Sequence, residues 1–418
     1  MSASRLDIME ERFVRYCRVD TQSNADSPAT PSTACQLDLS RMLVDELKGL
    51  GIDDAELTDY GVVFGTLKGN VADNEAPTIA FVAHVDTAPS FFAEGVKPLV
   101  HRNWDGRAIV LPDDPEVVID PVMQPYLRSK QGETIVTASG TTLLGADDKA
   151  GIAIIMGLID HLKAHPEIPR GDVRICFTPD EEIGRGVSDA MVRDLKADFA
   201  YTLDGENPGD LVAETFSADK AVVNIKGISI HTCCAKGRLV NALYLASEII
   251  ALLPKDHLSP ESTEGREGFI FVDSIEGNAA ELNMMINLRD FELEGLEKQA
   301  ELLRTLCEQV NRTEPRARIT CTVTPQYRNM RYWLKDDPRP VDIAKRAYAD
   351  EGFPPNMLAF RGGTDGSIMT EKGIPTPNIF CGMQAPHGPM EWVSLQDMDK
   401  ALSICARVVR YWAQEARA

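Results

Sequence analysis

The chain reads as an α/β protein with a smaller βαββαβ domain, of ferredoxin-like order, inserted into it. Three observations predict this. Short strands and helices alternate through the first half, as in a largely parallel sheet covered by helices. The run 78–83 is apolar throughout, as a strand buried on both faces must be. Near residue 216 the order changes to strand, helix, strand, strand, helix, strand, the split arrangement of a ferredoxin-like domain, and after Pro325 the α/β style returns. The expected division is therefore a discontinuous domain of residues 1–215 and 326–418 around an insert of 216–325.

The elements follow in order. Leu6, Met9, Phe13 and Tyr16–Cys17 recur at helical spacing, as do Leu39, Met42–Leu43, Leu47 and Leu50, a run closed by Gly49 and Gly51. Strands are expected at 62–67 and 78–83. Residues 89–140, rich in Pro, Asp and Gly, read as loops and short hairpins. A helix is expected at 149–162, a strand at 173–177, a helix at 188–195 and a strand at 199–203. In the insert, strands fall at 221–230, 268–275, 281–291 and 319–323, with helices at 239–253 and 294–310. A Pro-rich strand at 374–380 and helices at 341–350 and 395–412 complete the chain.

With 418 residues, 44% of them hydrophobic, the chain can bury a large core, which excludes disordered and fibrous classes. The net charge of −21 is spread along the sequence. It argues against nucleic acid or an anionic membrane as partner, since phosphate binding needs clustered Lys and Arg. Residues 1–7 lack the basic start and apolar run of a secretory leader, and no stretch approaches the ~20 apolar residues of a membrane helix. Nine scattered cysteines without a CxxC pair suggest reduced thiols rather than a disulfide framework, so a cytoplasmic location is expected.

Three chemistries have no motif here. Gly145-Ala146-Asp147-Asp148-Lys149-Ala150 lacks the glycine-rich cradle and the following Ser or Thr of a phosphate loop. No GxGxxG follows the first strand, and no GxSxG elbow is present. What remains is carboxylates and histidines just past strand ends: His84-Val85-Asp86, Asp147-Asp148, Asp180-Glu181-Glu182, Asp204-Gly205-Glu206 and His387-Gly388. Each has an ordinary reading, such as a helix cap for Asp147-Asp148 or a solvated loop for the three acids. Together they form an oxygen and imidazole donor set suited to Zn²⁺, with Co²⁺ or Mn²⁺ as alternatives, and they supply enough acids for two metals and a bridge.

The same residues carry a family resemblance. His84-Val85-Asp86, the block from Leu143 through Gly151, Glu181-Glu182, Asp204-Gly205-Glu206, Arg361-Gly362-Gly363-Thr364-Asp365-Gly366 and His387-Gly388 resemble, in order and over nearly the whole chain, the M20 family of dinuclear zinc peptidases, most closely its tripeptide aminopeptidases. The resemblance implies a zinc-exopeptidase-like catalytic domain, an inserted lid and dimerisation domain, and a homodimer acting on short peptides. It implies that His84 and Asp204 hold one Zn²⁺, that Glu182 and His387 hold the other, and that Asp147 bridges them. It further implies Glu181 as general base, Asp86 as the residue orienting His84, and a cis Asp147–Asp148 peptide. His231 of the insert corresponds to a histidine that stabilises the oxyanion, often across a dimer, and Arg289 and Arg361 are candidates to grip a substrate carboxylate.

Two departures lie beside the implied site. Thr232-Cys233-Cys234 stands where relatives carry Pro-Gly-Thr, and Gly388-Pro389-Met390-Glu391-Trp392 where they carry Gly-Lys-His-Glu-Phe. The loss of positive charge implies tolerance of apolar substrates and weaker length discrimination. The vicinal pair Cys233-Cys234 is expected to be buried. The rival reading is an M20 amidohydrolase cutting N-acyl or other amide-linked amino acids.

Overall fold

The computed structural model describes residues 4–71 and 76–415; Met1–Ala3, part of the stretch read above for a leader, lie outside them. The chain divides into two compact units. One comprises residues 1–213, 333–358 and 364–418, and the other residues 214–332 and 359–363.

The first unit is built on an eight-stranded sheet. Its centre is parallel: Val173–Thr178, Ile79–His84, Phe199–Gly205 and Asn378–Phe380 lie side by side in that order. The expectation of a largely parallel sheet holds only there, because both flanks turn antiparallel, at Val63–Leu67 and at Asp210–Thr215. Ile79–His84 is buried along its whole length. Ala80 and Val82 pack with Met191, Leu195 and Met369, which places the helices Asp189–Leu195 and Asp365–Glu371 on one face. The alternate residues face the long helix Ala146–Ala164 on the other. Residues 89–140 are largely loops with one short hairpin, Ile109–Val110 against Val118–Ile119, as expected; a turn of helix at Pro125–Arg128 and the pairing of Leu99–His101 with Ile135–Thr137 in a small separate sheet were not anticipated. Because the four central strands run the same way, their carboxyl ends gather on one edge of the sheet, where open α/β folds bind ligands.

The second unit contains Ser217–Lys226, Ala242–Leu252, Phe269–Gly277, Glu281–Asp290, Leu293–Thr313 and Arg318–Tyr327, in the strand and helix order read from the sequence. Its four strands are all antiparallel, with Glu281–Asp290 and Ser217–Lys226 in the middle. Alternate residues Ala221, Val223, Ile225, Met284, Ile286 and Leu288 turn one face of the sheet onto Leu245, Ile249, Leu296 and Leu303 of the helices.

Several boundaries differ from expectation. The strand expected at 221–230 is Ser217–Lys226. It stops at Gly227, where an added Cβ would lie 2.1 Å from the Val240 carbonyl oxygen. The following helix begins only at Ala242, capped by the Asn241 side chain, which accepts from Leu243 N at 3.0 Å. The strands Asp210–Thr215 and Asn356–Phe360 and the helix Asp365–Glu371 were not anticipated. They are short, and their placement depends on distant neighbours rather than local pattern. No helix among the described residues is long and apolar enough to cross a membrane.

Candidate active site

Four of the five expected metal ligands lie at or beyond the carboxyl ends of the central strands, and the fifth sits at the start of the long helix. His84 is the last residue of its strand, Asp204 the last but one of Phe199–Gly205, and Glu181–Ile183 forms a short 3₁₀ turn after Val173–Thr178. Asp147 is placed by two glycines. Gly145 precedes the helix with φ +80°, a left-handed conformation that a side chain would strain. Gly151 packs so closely on Phe199–Gly205 that an added Cβ would lie 2.4 Å from the Leu203 carbonyl oxygen. That approach brings the loop of Asp147 against the strand of Asp204. The Asp147–Asp148 peptide is cis.

The five side chains converge. His84 Nε2 lies 2.9 Å from Asp147 Oδ1 and 4.0 Å from Asp204 Oδ1, while His387 Nε2 lies 3.0 Å from Asp147 Oδ2 and 3.1 Å from Glu182 Oε2. Each oxygen of Asp147 thus faces one imidazole. Two sets of three donors result, His84/Asp147/Asp204 and Asp147/Glu182/His387, with the donor atoms of each within 4.8 Å of one another.

The remaining acids of the site oppose one another. Burial and the neighbouring acids push the carboxyls of Glu181, Glu182 and Asp204 above their usual range. The bonds of His387 to Asp147 and Glu182 hold that imidazole protonated up to about 10. Among the described residues, no Lys or Arg forms an ion pair with Asp147, Glu181, Glu182 or Asp204. Lys149, buried beside them, instead donates to the Val19 carbonyl at 2.8 Å. Glu182 Oε1 is buried with no hydrogen-bond partner. An uncompensated buried carboxylate oxygen is costly, and a bound divalent cation would answer it. The donor set fits such ions: imidazole nitrogens and carboxylate oxygens in two groups that share one acid.

Asp86 does more than stand beside His84. Its carbonyl oxygen lies 3.0 Å from His84 Nδ1, and its carboxylate accepts from Glu181 N at 3.0 Å and Glu182 N at 3.2 Å. One residue therefore fixes both the first imidazole and the acidic turn.

Three further residues escaped the sequence reading. Asn378 brackets the Asp204 backbone, accepting from its N–H and donating to its carbonyl, both at 2.9 Å. Asp365, inside the recognised 361–366 block, is buried and accepts from Thr178 Oγ1 at 2.8 Å; burial pushes its carboxyl up to about 6. Glu391 was noted only as part of a departure, yet its carboxylate accepts from three backbone N–H groups around Asp147. Asp180, read as one of three solvated acids, is buried, accepting from Ser32 N and Gln36 Nε2, each at 2.7 Å. Only Glu181 and Glu182 of that trio serve the site.

The other three candidates belong to the second unit, and each has partners inside it. His231 is exposed and caps the 3₁₀ turn Thr232–Cys234 by accepting from Cys233 N at 3.2 Å. Cys233 and Cys234 are exposed, not buried as expected, because that turn lies on the surface. Arg361 donates to the Glu267 carbonyl and Thr263 Oγ1, both at 2.7 Å, and lies over the rings of Phe216 and Phe269. Arg289 donates from Nη1 to the Leu288 carbonyl and to Gln326 Oε1, both at 3.0 Å, and lies over Tyr327.

The chain is similar to known proteins over nearly its whole length. A protein named Peptidase T from Bacillus subtilis (strain 168) is 42% identical over 97% of this chain and 98% of its own length. Two solved structures share the fold, each at 21% identity over 98% of this chain and 99% of theirs: an aminopeptidase from Bacillus cereus ATCC 10987, with a TM-score of 0.73, and a tripeptidase from Staphylococcus aureus subsp. aureus Mu50, with 0.76. Residues 140–411 match the model described as peptidase family M20/M25/M40, and the chain belongs to that family.

Proposed function

We propose that this chain is a dinuclear zinc aminopeptidase that releases the N-terminal residue from short peptides, tripeptides foremost. It is a metallo-exopeptidase of the family just described, and its relatives at about 40% identity are named Peptidase T. The observation that carries the reading is Asp147, whose two oxygens each face one imidazole while Glu182 Oε1 has no partner. In this reading His84 and Asp204 would hold one Zn²⁺, Glu182 and His387 would hold a second, and Asp147 would serve both; Co²⁺ or Mn²⁺ would suit the same donors.

Ions held there supply Lewis acidity toward the scissile carbonyl and acidify water. Glu181 takes the proton from the attacking water as its oxygen bonds to the carbonyl carbon. It then gives that proton to the amine as the C–N bond breaks. A base in this role gains from a raised pKa, and burial among Asp365, Glu182 and Asp86 raises that of Glu181. Asp86 keeps His84 and the acidic turn in register. His231 would stabilise the developing oxyanion. Arg289, whose described hydrogen bonds all leave from Nη1, keeps Nε and Nη2 for the substrate carboxylate. Arg361 is the second candidate for that grip.

The second unit, with its ferredoxin-like strand order, is proposed as a lid and dimerisation domain of a cytoplasmic homodimer. Sedimentation at equilibrium tests the dimer. The reaction is tested by kcat/KM on one apolar series of di-, tri- and tetrapeptides, free, C-terminally amidated and N-acetylated. Cleavage of free tripeptides with little turnover of the N-acetylated forms is expected. Preference for the N-acetylated forms would point to an amidohydrolase instead.

A further inference from the structure

Glu391 lies four residues beyond His387, is 1% exposed, and closes its own segment by donating its N–H to the Gly388 carbonyl at 3.3 Å. Its carboxylate reaches a segment some 245 residues away in sequence. Oε2 accepts from Leu144 N at 2.7 Å and Gly145 N at 2.8 Å, and Oε1 accepts from Asp147 N at 3.0 Å. A helix cap needs one or two such bonds. Here all three go to the residues whose backbone aims the Asp147 side chain. At the other end of the link, His387 itself has φ +66° and Ala385 φ +49°. Both are left-handed conformations that persist in non-glycine residues only when their surroundings hold them. Among the described residues no cation forms an ion pair with Glu391, and its carboxylate is held by the three N–H groups at the helix start.

We propose that Glu391 is a positioning residue that clamps the His387 segment to the Asp147 loop. It thereby fixes the distance between the bridging carboxylate and the second imidazole, and sets the affinity of the metal position they share. The inference rests on the dinuclear reading above. It predicts that the two metal positions respond unequally to change at residue 391, because His387 serves only one of them.

The test uses the full chain and Zn²⁺ alone, with affinities measured by competition against a chromophoric chelator and melting temperatures measured on the chelated protein. Glu391→Gln keeps the side-chain shape but turns an amide donor toward a backbone N–H. It should weaken one of the two Zn²⁺ affinities by at least ~10-fold, the scale of lost outer-sphere support, and the other by less. Glu391→Asp keeps the charge but is one methylene too short to span both segments, and it should show the same selective loss. It also serves as the test if the Gln variant does not fold. Unchanged Zn²⁺ affinities in either folded variant, even with a lower melting temperature, would reduce Glu391 to a structural cap and overturn the proposal. A parent chain that binds no Zn²⁺ would instead overturn the dinuclear reading itself.

Discussion

Two groups of buried and half-buried carboxylates in the first unit are satisfied in opposite ways. Glu46 accepts from the Arg12 guanidinium, from Arg15 Nη2 at 2.9 Å and from the Tyr16 hydroxyl at 2.8 Å. Asp397 pairs with Lys130 at 2.6 Å and Lys400 at 3.1 Å, and accepts from the Tyr126 hydroxyl at 2.8 Å. In each, the chain's own cations answer the acid. Around Asp147 the acids outnumber the two imidazoles, and one oxygen of Glu182 is left without a partner. Glu46 and Asp397 have Lys or Arg partners and, among the described residues, this cluster has neither, so its excess of acids over imidazoles is left to cations from solution.

The contrast can be broken most sharply at Glu181. If that carboxylate moves protons rather than holding metal, Glu181→Gln lowers kcat by ~10²–10⁴-fold while the metal content stays that of the parent. Loss of metal in that variant would show that base and ligand have been exchanged. Glu182→Gln should do the reverse, weakening one metal affinity by at least ~10-fold, as read by chelator competition.

A smaller effect separates the two arginines of the second unit. Arg289→Met should raise KM for free tripeptides by about 10-fold, roughly one charged hydrogen bond, and leave amidated peptides unchanged. Arg361→Met, which removes bonds to Thr263 and Glu267, should chiefly lower the melting temperature. Equal KM on free and amidated peptides for both variants and the parent would remove the carboxylate role from both.

The smallest effect belongs to the paired acids. Burial opposes the charge of Glu46, but its bonds from Arg15, Tyr16 and Arg12 outweigh that and lower its pKa. A carboxyl with a lowered folded pKa adds stability above its unfolded value of ~4.3 and loses it as the pH falls through the folded value. Glu46→Gln should therefore melt roughly 2 °C or more below the parent at pH 7, with the gap closing toward pH 3. A gap that widens in acid would contradict this pairing.

What was legible in the sequence follows from where each signal resides. His84, Asp204, Glu182 and His387 could be singled out because they sit at or beyond the ends of central strands, which a parallel sheet brings together, and Asp147 because its block opens the long helix. Glu391 and Asn378 could not, because they act on backbone atoms 174 to 247 residues away, and backbone partners leave no mark in the side-chain pattern. Asp86 was read for its neighbour two residues back, while its carboxylate bonds lie 95 and 96 residues away. Asp180 looked solvated because adjacent acids usually are; its burial depends on Ser32 and Gln36. The βαββαβ order was visible from periodicity. The ends of its first strand and helix were not, because they depend on the approach of Gly227 to Val240.

The central claim is that the carboxylate cluster is a cage for two cations. Native mass spectrometry of the chain, stripped by chelation and reloaded with Zn²⁺, tests it directly. The account predicts two ions per chain in the parent and in Glu46→Gln, and fewer than two in Asp147→Asn, which keeps the shape but loses the bridging charge. A parent that takes up no Zn²⁺, or an Asp147→Asn chain that still holds two, would contradict it.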